Sequence, residues 1–419
     1  MSPKSVLTIN CGSETLRFAA IDTRTGKRWL DGEADKLGSP KSIFEWQIDG
    51  GPRHNEKLPR HIGICRCLML IELVLKESRQ CKSLQAIVYR VVHGGSHYRD
   101  PVIVDDKVLE DLEELVPLAP QHNPVALRVI RFGRSLFPNL QHIACFDTGF
   151  HKTLPPRAYT YGVPYDWYTE HGIRRYGFHG FSHRHAAEET ARILGKSVSE
   201  IALISVHLGN GCSVNATQRG RSIDNSMGFT PMEGVVMGSR SGDVDPGLVS
   251  YLAKQMNMGI EEIHDSLSKR SGLLGLSGVS NDVRELRLPE HTGKPRVELA
   301  IDVFTYRLAK EIAGARAALD SLDAIAFTGG IGANDFDVRK RIVARLEFLG
   351  TKLDKQKNED NGTETGGIIN HADSSVPLLA VPVNEEAVMA KTCSHLIRKH
   401  VGKSRVWQPP EPAKTETGV

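Results

Sequence analysis

Two arginines stand beside glycines just after apolar residues, and their positions make them the most informative candidates for chemistry in this chain. Arg90 lies in the segment YRVVHGG and Arg240 lies in the segment MGSRSGD. A guanidinium group stays charged when it is buried, so its burial is costly unless an anion neutralises it. One arginine near a glycine is commonly structural, but two of them predict a site for a small anion.

Glycine-rich turns of the kind that cradle phosphate accompany the two arginines. The turn NCGS begins at Asn10, the turn HLGNG begins at His207, and the turn TGGIG begins at Thr328. Each turn follows a short apolar run that predicts a strand, so backbone N–H groups are presented where a strand ends. Together with the arginines, these turns favour phosphoryl transfer to or from a small anion.

A strand–turn–strand pattern occurs twice in the sequence. Residues 6–9 lead through the first turn into residues 16–21, and residues 201–206 lead through the second turn into residues 212–216. The two copies are roughly 200 residues apart, a spacing typical of a duplicated domain that opens with a β-hairpin. Two unrelated hairpins remain the alternative on spacing alone.

The third turn follows a predicted strand at 323–327, an α/β arrangement in which ligands bind beyond the carboxyl ends of the strands. Apolar periodicity predicts helices over 297–319 and 105–115. Residues 355–375 are polar and glycine-rich and predict a loop. Residues 403–419 are rich in Pro, Lys, Glu and Thr, which predicts a disordered tail.

The composition is that of an ordinary globular protein. The 419 residues carry a net charge of +3, with 40% hydrophobic and 25% charged residues, and are enough for two domains. No basic run is interleaved with aromatics, which argues against nucleic acid as a partner. No apolar run approaches the ~20 residues of a membrane-spanning helix. The seven cysteines are scattered along the chain, which predicts free thiols in a reducing compartment. No CxxC or HExxH pattern occurs, which argues against a zinc or iron site held by the protein.

Many motifs, in order along nearly the whole chain, resemble those of the acetate kinase family, within the superfamily of acetate and sugar kinases, Hsp70 and actin. They run from Asn10 to Glu386 and read NCGS, RVVHGG, HNP, FDT, RRYGFHG, HLGNG, SMGFTP, RSGD, SND and NEE. So many long matches are far more specific than any single glycine turn.

The resemblance implies an α/β fold in which two duplicated actin-like, ribonuclease H-like domains flank a central cleft. It implies a first domain of residues 1–150 with a returning C-terminal helix at 386–402, and a nucleotide-binding domain of residues 151–385. The implied reaction is reversible, direct in-line transfer of phosphoryl from ATP to a short carboxylate, foremost acetate, giving ADP and an acyl phosphate. Mg²⁺, with Mn²⁺ as an alternative, and a cytoplasmic homodimer are also implied, with neither nucleic acid nor membrane as a partner.

The same resemblance assigns roles residue by residue. The implied catalytic residues are Arg90, His122, Asp147, His179 and Arg240. The implied acyl pocket is formed by Val92, Gln121, Phe178 and Pro231. The implied nucleotide contacts are Thr15, Arg17, His207, Leu208, Gly209, Asn210, Gly211, Asp282, Val283, Arg284, Gly330, Ile331, Gly332 and Asn334. The implied Mg²⁺ residues, acting directly or through water, are Asn10 and Glu385.

Several of these residues have a plainer interpretation without the family. A lone histidine such as His122 is usually structural, Asp147 could cap a turn, and Glu385 could be a carboxylate at a helix N-terminus. The sequence also departs from the family pattern, with Tyr89 in place of a His. Gln121 stands where the family has an apolar Leu, so it could favour an acid with a hydroxyl or carbonyl group, or it could turn away.

Other functions remain open at this point. Propionate or another small acid could be the substrate. A sugar kinase needs a base to remove a hydroxyl proton, a role for Asp147, but two anion-binding arginines would then be unexplained. A chaperone or scaffold predicts an appended partner-binding domain, whereas a short polar tail follows the last motif. A catalytically degenerate homologue is countered by the retained Arg90, Arg240 and His179.

Overall fold

The computed structural model of the chain describes residues 4–12 and 14–400, so the predicted disordered tail at 403–419 lies outside it. The chain forms two compact units. The first takes in the chain up to Phe146 together with the segment that begins at Glu386, and the second runs from Asp147 to Glu385.

The first unit is built on an eight-stranded sheet with the order β5-β4-β3-β2-β1-β6-β8-β7. Its strands are β1 (Ser5–Cys11), β2 (Leu16–Asp22), β3 (Arg28–Asp35), β4 (Ile43–Ile48), β5 (Arg53–Lys57), β6 (Leu84–Val91), β7 (Val102–Ile103) and β8 (Gln141–Phe146). The predicted hairpin at 6–21 is confirmed as β1 and β2, which pair in antiparallel fashion. Strand β1 is parallel to β6, and β6 is parallel to β8, so the carboxyl ends of these three strands lie at one edge.

Helices cover the sheet of the first unit and complete its core. They are α1 (Ile64–Glu77), α2 (Asp106–Glu114) and α3 (Asn123–Leu136), with 3₁₀ turns at Arg79–Ser83 and Val116–Leu118. The helix predicted at 105–115 is confirmed as α2, whose Asp105 side chain accepts a hydrogen bond from Val108 N at 2.9 Å and caps the first turn. The apolar stripe of α2 is buried, which is why this short helix is stable where it is.

The second unit repeats the central part of the first. Its sheet has the order β11-β10-β9-β12-β13 and comprises β9 (Ala202–Leu208), β10 (Cys212–Gln218), β11 (Arg221–Asn225), β12 (Ala324–Thr328) and β13 (Leu378–Ala380). The hairpin of β9 and β10 is antiparallel, while β9 with β12 and β12 with β13 are parallel. This is the pairing found in β3-β2-β1-β6-β8, so the predicted duplicated α/β fold is confirmed and the alternative of two unrelated hairpins is wrong.

Eleven helices follow in the second unit. They are α4 (Pro156–Tyr159), α5 (Tyr165–His171), α6 (Gly180–Ile193), α7 (Gly247–Gln255), α8 (Ile260–Lys269), α9 (Gly272–Ser277), α10 (Val283–Leu286), α11 (Pro295–Arg316), α12 (Gly329–Asn334), α13 (Phe336–Val343) and α14 (Lys355–Glu359). The 3₁₀ turns are Asp147–Thr153, Val198–Glu200, Glu347–Leu349 and Thr363–Thr365. The long helix predicted at 297–319 is confirmed as α11, which starts at Pro295, where proline's missing N–H has no intrahelical partner to lose.

The segment 355–375, predicted to be a loop, is partly helical and partly buried. It contains α14 and the turn Thr363–Thr365, so the loop prediction is wrong there. The reason is Arg339, which is fully buried and donates from Nε to Asn358 Oδ1 at 2.8 Å and from Nη2 to Asn361 Oδ1 at 2.7 Å. A buried guanidinium needs such acceptors, so the polar residues of this segment face inward.

The last helix, α15 (Glu385–His400), begins where the second unit ends. Arg28 on β3 lies 3.4 Å from the carboxylate of Glu386, which ties the start of the helix to the first sheet. Among residues 4–12 and 14–400, none of the helices combines the length and the apolar character that crossing a bilayer requires.

Candidate active site

In the first unit, Asn10 and Arg90 meet at the edge formed by β1 and β6. Ile9 is in register with Tyr89, so the next residue of each strand falls at the same level. Arg90 Nη1 donates to Asn10 Oδ1 at 2.9 Å, and Asn10 is 7% exposed. Burial raises the pKa of the neighbouring Cys11 thiol to about 12 in spite of Arg90, so this thiol stays protonated and does not neutralise the arginine.

The loop after β6 is fixed to the start of α3 by a reciprocal pair of hydrogen bonds. His93 N donates to Asn123 Oδ1 at 3.2 Å, and Asn123 Nδ2 donates back to His93 O at 3.1 Å. Both residues are fully buried. Because Val92 precedes one of them and Gln121 and His122 precede the other, the structure brings these three predicted site residues to one place.

Two predicted nucleotide contacts, Thr15 and Arg17, lie in and after the first hairpin turn. Gly12 N donates to Thr15 O at 2.8 Å and closes that turn. Arg17 projects from β2 on its exposed side, where Nε donates to Glu33 Oε2 at 3.2 Å. An exposed ion pair of this kind contributes little to stability, so Arg17 can exchange Glu33 for another anion at small cost.

In the second unit, the second and third glycine-rich turns lie side by side. They follow the parallel strands β9 and β12, and His207 is in register with Thr328. Gly329 has a φ of +81°, and a Cβ there would lie 2.4 Å from Leu208 O, so only glycine allows the two turns to approach. Gly209 N donates to Gly211 O at 3.0 Å, which closes the second turn.

Asn210 joins the second turn to two further segments. Gly238 N donates to Asn210 O at 3.0 Å, and Asn281 Nδ2 donates to Asn210 Oδ1 at 3.2 Å. Asp282, next along the chain, caps α10 by accepting from Arg284 N at 2.8 Å, and its carboxylate pairs with the exposed Arg284 guanidinium at 2.6 Å.

The remaining predicted nucleotide contacts lie beside these groups. Val283 is buried in α10, and Ile331 and Gly332 lie in α12 after Gly330. Asn334 Nδ2 donates to Gly330 O at 2.9 Å, which stabilises this one-and-a-half-turn helix. The structure thus collects the predicted nucleotide contacts of the second unit on one wall.

Arg240 and His179 converge over Gly211. A Cβ built on Gly211 would lie 3.2 Å from both Arg240 Nη2 and His179 Nε2, so the two nitrogens border the same small space. Arg240 Nη1 donates to Pro231 O at 2.6 Å, and within residues 4–12 and 14–400 its guanidinium forms no ion pair with a carboxylate. Burial lowers the pKa of Arg240 from its ordinary value of 12.5, but the group remains a cation at neutral pH.

His179 is held in an uncommon backbone conformation, with a φ of +55°, immediately before α6. Gly180 packs on the preceding segment so closely that a Cβ would lie 2.0 Å from Asp147 O, which brings Asp147 beside His179. Asp147 is 1% exposed and Phe178 is 1% exposed. The site of the second unit therefore has a cation and a histidine over a glycine-rich turn, and the buried Asp147 lies in the segment that packs beside the histidine.

The match to known proteins agrees with this geometry. The model of the acetokinase family matches residues 5–391. The chain belongs to the acetokinase family. The resemblance drawn from the motifs is thereby confirmed.

Family members cover nearly the whole chain. Acetate kinase 1 of Neisseria meningitidis is 42% identical over 399 residues, which is 94% of this chain and 99% of that protein. Acetate kinase of Thermotoga maritima is 40% identical, with the same coverage. The structure of a propionate kinase from Francisella tularensis matches with a TM-score of 0.85 and 36% identity, covering 93% of this chain and 98% of that one. An acetate kinase structure from Porphyromonas gingivalis matches with a TM-score of 0.81 and 34% identity, covering 94% and 100%.

The departure from the acetokinase pattern at Tyr89 has a structural explanation. Tyr89 is 1% exposed and stacks on His142, with its hydroxyl 2.9 Å from His142 Nδ1. His142 Nε2 lies 3.1 Å from Phe137 O, which only accepts, so Nε2 carries the proton and Nδ1 accepts from the tyrosine. Tyr89 therefore belongs to the core beneath α3 and not to the anion site.

The residues that hold the loop carrying Phe229 and Pro231 were not predicted from the sequence. Glu233 accepts from Arg175 Nη2 at 2.5 Å and also from the Tyr161 hydroxyl. The same tyrosine oxygen accepts from Phe229 N at 2.7 Å. Since Pro231 O holds Arg240, this clamp fixes the arginine indirectly, and no local sequence pattern indicates it.

A buried histidine beside His179 was not predicted from the sequence either. His183 follows His179 by four residues, and its backbone N–H donates to His179 O at 2.9 Å where α6 begins. Both rings contact the hydroxyl of Ser213. The i, i+4 spacing of the two histidines is the signal that could have indicated it.

The two residues assigned to Mg²⁺ are buried oxygen donors. Asn10 is 7% exposed and Glu385 is 6% exposed. Over residues 4–12 and 14–400, no group of three or more His, Cys, Asp or Glu side chains is arranged to hold a metal ion by itself. Amide and carboxylate oxygens are of the type that Mg²⁺ binds.

Proposed function

We propose that this member of the acetokinase family transfers the γ-phosphoryl group of ATP reversibly to a short-chain carboxylate, foremost acetate, to give ADP and an acyl phosphate. The observation that carries the proposal is the convergence of Arg240 Nη2 and His179 Nε2 over Gly211. Arg240 is a half-buried cation without a carboxylate partner in the described chain and lies next to a glycine-rich turn, which favours an anionic substrate.

The chemistry of the acceptor explains why arginines suit this site better than a base. A short carboxylic acid has a pKa near that of Glu, about 4.3, so it is ionised at neutral pH and needs no proton removed. The barrier comes from bringing this anion to an anionic γ-phosphoryl group. Positioning and charge neutralisation therefore supply the catalysis.

Arg240 and His179 are suited to that task. Nη2 of Arg240 can donate to an equatorial oxygen of the phosphoryl group, because Nη1 is held by Pro231 O while Nη2 faces the space over Gly211. His179 Nε2 faces the same space and would donate to another oxygen. Arg90, oriented by Asn10, is the second cation assigned to the carboxylate and the phosphoryl group.

The nucleotide is assigned to the wall formed by the two adjacent glycine-rich turns. Its phosphates would bind backbone N–H groups of the turn that includes Asn210 and Gly211. Its adenosine would lie between Asp282 and Gly330, where a Cβ on Gly330 meets no atom within 4 Å. That open space is what a base or ribose needs for close approach.

Mg²⁺ is the metal we assign to the reaction, with Mn²⁺ as an alternative. Asn10 and Glu385 would hold it, since amide and carboxylate oxygens are the ligands it prefers. Asn10 Oδ1 already accepts from Arg90, so it would act on a metal-bound water or through its second lone pair. When bound, the metal neutralises charge on the β- and γ-phosphates.

The preferred acid depends on Gln121. Its position next to His122 and close to Val92 places an amide where the family has an apolar side chain. A small acid with a hydroxyl or carbonyl group would pair with that amide, whereas propionate would not. Gln121→Leu is therefore expected to raise the ratio of propionate to glycolate turnover, and an unchanged ranking of the acids would refute a role for Gln121 in selectivity.

We also propose a cytoplasmic homodimer. Helix α7 has no buried residue, and its large apolar side chains Leu248 and Tyr251 are 37% and 61% exposed. Ile260 at the start of α8 is 64% exposed. A second copy that covers this face would remove apolar surface from water, and light scattering of Tyr251→Glu against the parent chain tests it.

The proposal is tested by trapping acyl phosphate with hydroxylamine, using ATP, Mg²⁺ and a panel of acetate, propionate, butyrate, glycolate and lactate. Arg240→Ala should lose most of the product. Arg192→Ala, which removes an exposed arginine paired with Glu189 in the same unit, is the matched control and should retain it. No product from any acid, with ATP still bound, would indicate a degenerate homologue.

A further inference from the structure

A buried chain of hydrogen-bonding groups lies behind His179. His179 Nδ1 is 2.8 Å from Ser213 Oγ, and the same oxygen is 2.7 Å from His183 Nε2. His183 Nδ1 is in turn 2.8 Å from Ser205 Oγ. His183, Ser205 and Ser213 are all fully buried, so none of them can exchange these partners for bulk water. None of these three residues has a role in the proposed reaction as derived from Arg240 and His179.

Protonation of His183 limits how this chain can be arranged. Burial, reinforced by the neighbouring His151 and His207, holds the pKa of His183 well below its ordinary value of 6.5. The ring is therefore neutral at physiological pH and carries one N–H. Ser213 has a single hydroxyl proton, which it can donate to one of its two histidine neighbours and not to both.

Only one direction of donation leaves His179 ready for a phosphoryl oxygen. If Ser205 donates to His183 Nδ1, His183 Nε2 donates to Ser213, and Ser213 donates to His179 Nδ1, then Nδ1 of His179 is an acceptor and the N–H of its ring is on Nε2. In the opposite direction the lone pair of Nε2 would face the space over Gly211 and repel an oxygen there. Every group in the first arrangement has its hydrogen-bonding partner.

We propose that His183 acts as a positioning residue, through Ser213, that keeps the proton of His179 on Nε2 and fixes the ring beside Arg240. The inference rests on the proposed role of His179 in phosphoryl transfer. The stacking of His207 on His179, with ring centroids 4.1 Å apart, limits the remaining freedom of the ring. Loss of Ser213 or His183 should thus weaken transition-state stabilisation more than substrate binding.

The test compares three single variants in the hydroxylamine assay. Ser213→Ala removes the hydroxyl oxygen that both histidines contact. Loss of such a hydrogen bond should lower kcat roughly tenfold, whereas KM for ATP and for acetate should stay within about twofold of the parent values. His183→Leu should lower kcat by the same factor. His183→Gln should recover most of the rate, because its amide N–H and its carbonyl can replace the two ring nitrogens toward Ser213 and Ser205.

The matched control is Ser42→Ala. Ser42 is a fully buried serine of the first unit that donates to main-chain oxygens, including Lys36 O at 2.7 Å, so its removal has the general cost of a lost buried hydroxyl. This control should keep its kcat. Where His183→Leu does not fold, the Ser213→Ala variant carries the test alone.

A double variant separates positioning from a general structural effect. When His179 is already alanine, Ser213→Ala should cause no further loss of kcat, because its only route to the reaction has gone. A further tenfold loss in that background, or full kcat in Ser213→Ala alone, would overturn the inference. Absence of hydroxamate from the unmodified enzyme would instead remove the proposed function.

Discussion

Gly211→Ala is the substitution that most directly probes the space shared by Arg240 and His179. The added Cβ would lie 3.2 Å from Arg240 Nη2, 3.2 Å from His179 Nε2 and 3.3 Å from His179 Cε1. Van der Waals contacts to carbon are most favourable at about 3.5–4.0 Å. Both side chains must therefore move by a few tenths of an ångström, and the methyl group occupies the space where a phosphoryl oxygen is expected.

The size of the effect follows from the two donors involved. Removing one preorganised donor from a charge-stabilising site costs about 10²–10³ in kcat. A displacement that lengthens two such hydrogen bonds without removing either should cost less, about 10- to 100-fold, which is about 1.4–2.8 kcal/mol of activation free energy. KM for acetate should change less than kcat, since the transferring group is the one disturbed.

The folded state should tolerate this substitution. Gly211 does not have the positive φ that an alanine would find strained. Its free energy of unfolding should change by less than about 1 kcal/mol. The assay is steady-state hydroxamate formation together with urea unfolding of the same preparation.

Gly314→Ala is the matched control. It adds the same methyl group inside α11, where a Cβ meets no atom within 4 Å. It should leave kcat unchanged and add roughly 0.5–1 kcal/mol of stability, as expected for alanine in a helix interior. The reasoning is refuted if Gly211→Ala retains the parent kcat, or if its loss of activity is matched by a loss of folded protein.

Two further predictions concern the nucleotide wall and the pH dependence of stability. Gly330→Val should weaken ATP and ADP binding at least tenfold, as measured by calorimetry, because its side chain would enter the space assigned to the nucleotide. The melting temperature should be preserved, because a Cβ there meets no protein atom within 4 Å. Unchanged nucleotide affinity would show that the adenosine binds elsewhere. Burial lowers the pKa of both His142 and His151 from 6.5 to about 4, so the unfolded chain binds protons below pH 6.5 that the folded chain does not. The free energy of unfolding should therefore fall as the pH is lowered from 6.5 to 4, by about 3 kcal/mol for each ring. Replacing His142 by Leu and Tyr89 by Phe in one variant should make this pH dependence less steep in urea titrations.

Local features of the sequence determined the elements and the family. The β1–β2 and β9–β10 hairpins and the helices α2 and α11 were all predicted, because apolar periodicity and glycine turns act within a few neighbouring residues. The duplication followed from the recurrence of one such local pattern. The family followed from motifs that carry chemistry at fixed spacing.

Contacts between residues distant in the chain were beyond the reach of such patterns. The loop predicted at 355–375 is instead drawn inward by the buried Arg339, whose acceptors lie 19 and 22 residues away. The clamp of Glu233 joins residues 58 and 72 apart. Each depends on burial, which makes an unpaired polar group costly, and burial is a property of the packed chain.

The sequence by itself thus predicted which groups the site would contain, namely two arginines, a histidine and glycine turns. The tertiary structure decided how those groups of the second unit act together. It set Arg240 and His179 over the same glycine, tied Arg240 to Pro231, and joined His179 to His183 through Ser213. The physical reason is that side-chain type fixes charge and hydrogen-bonding capacity, whereas the direction of a hydrogen bond is fixed only when folding removes water from its surroundings.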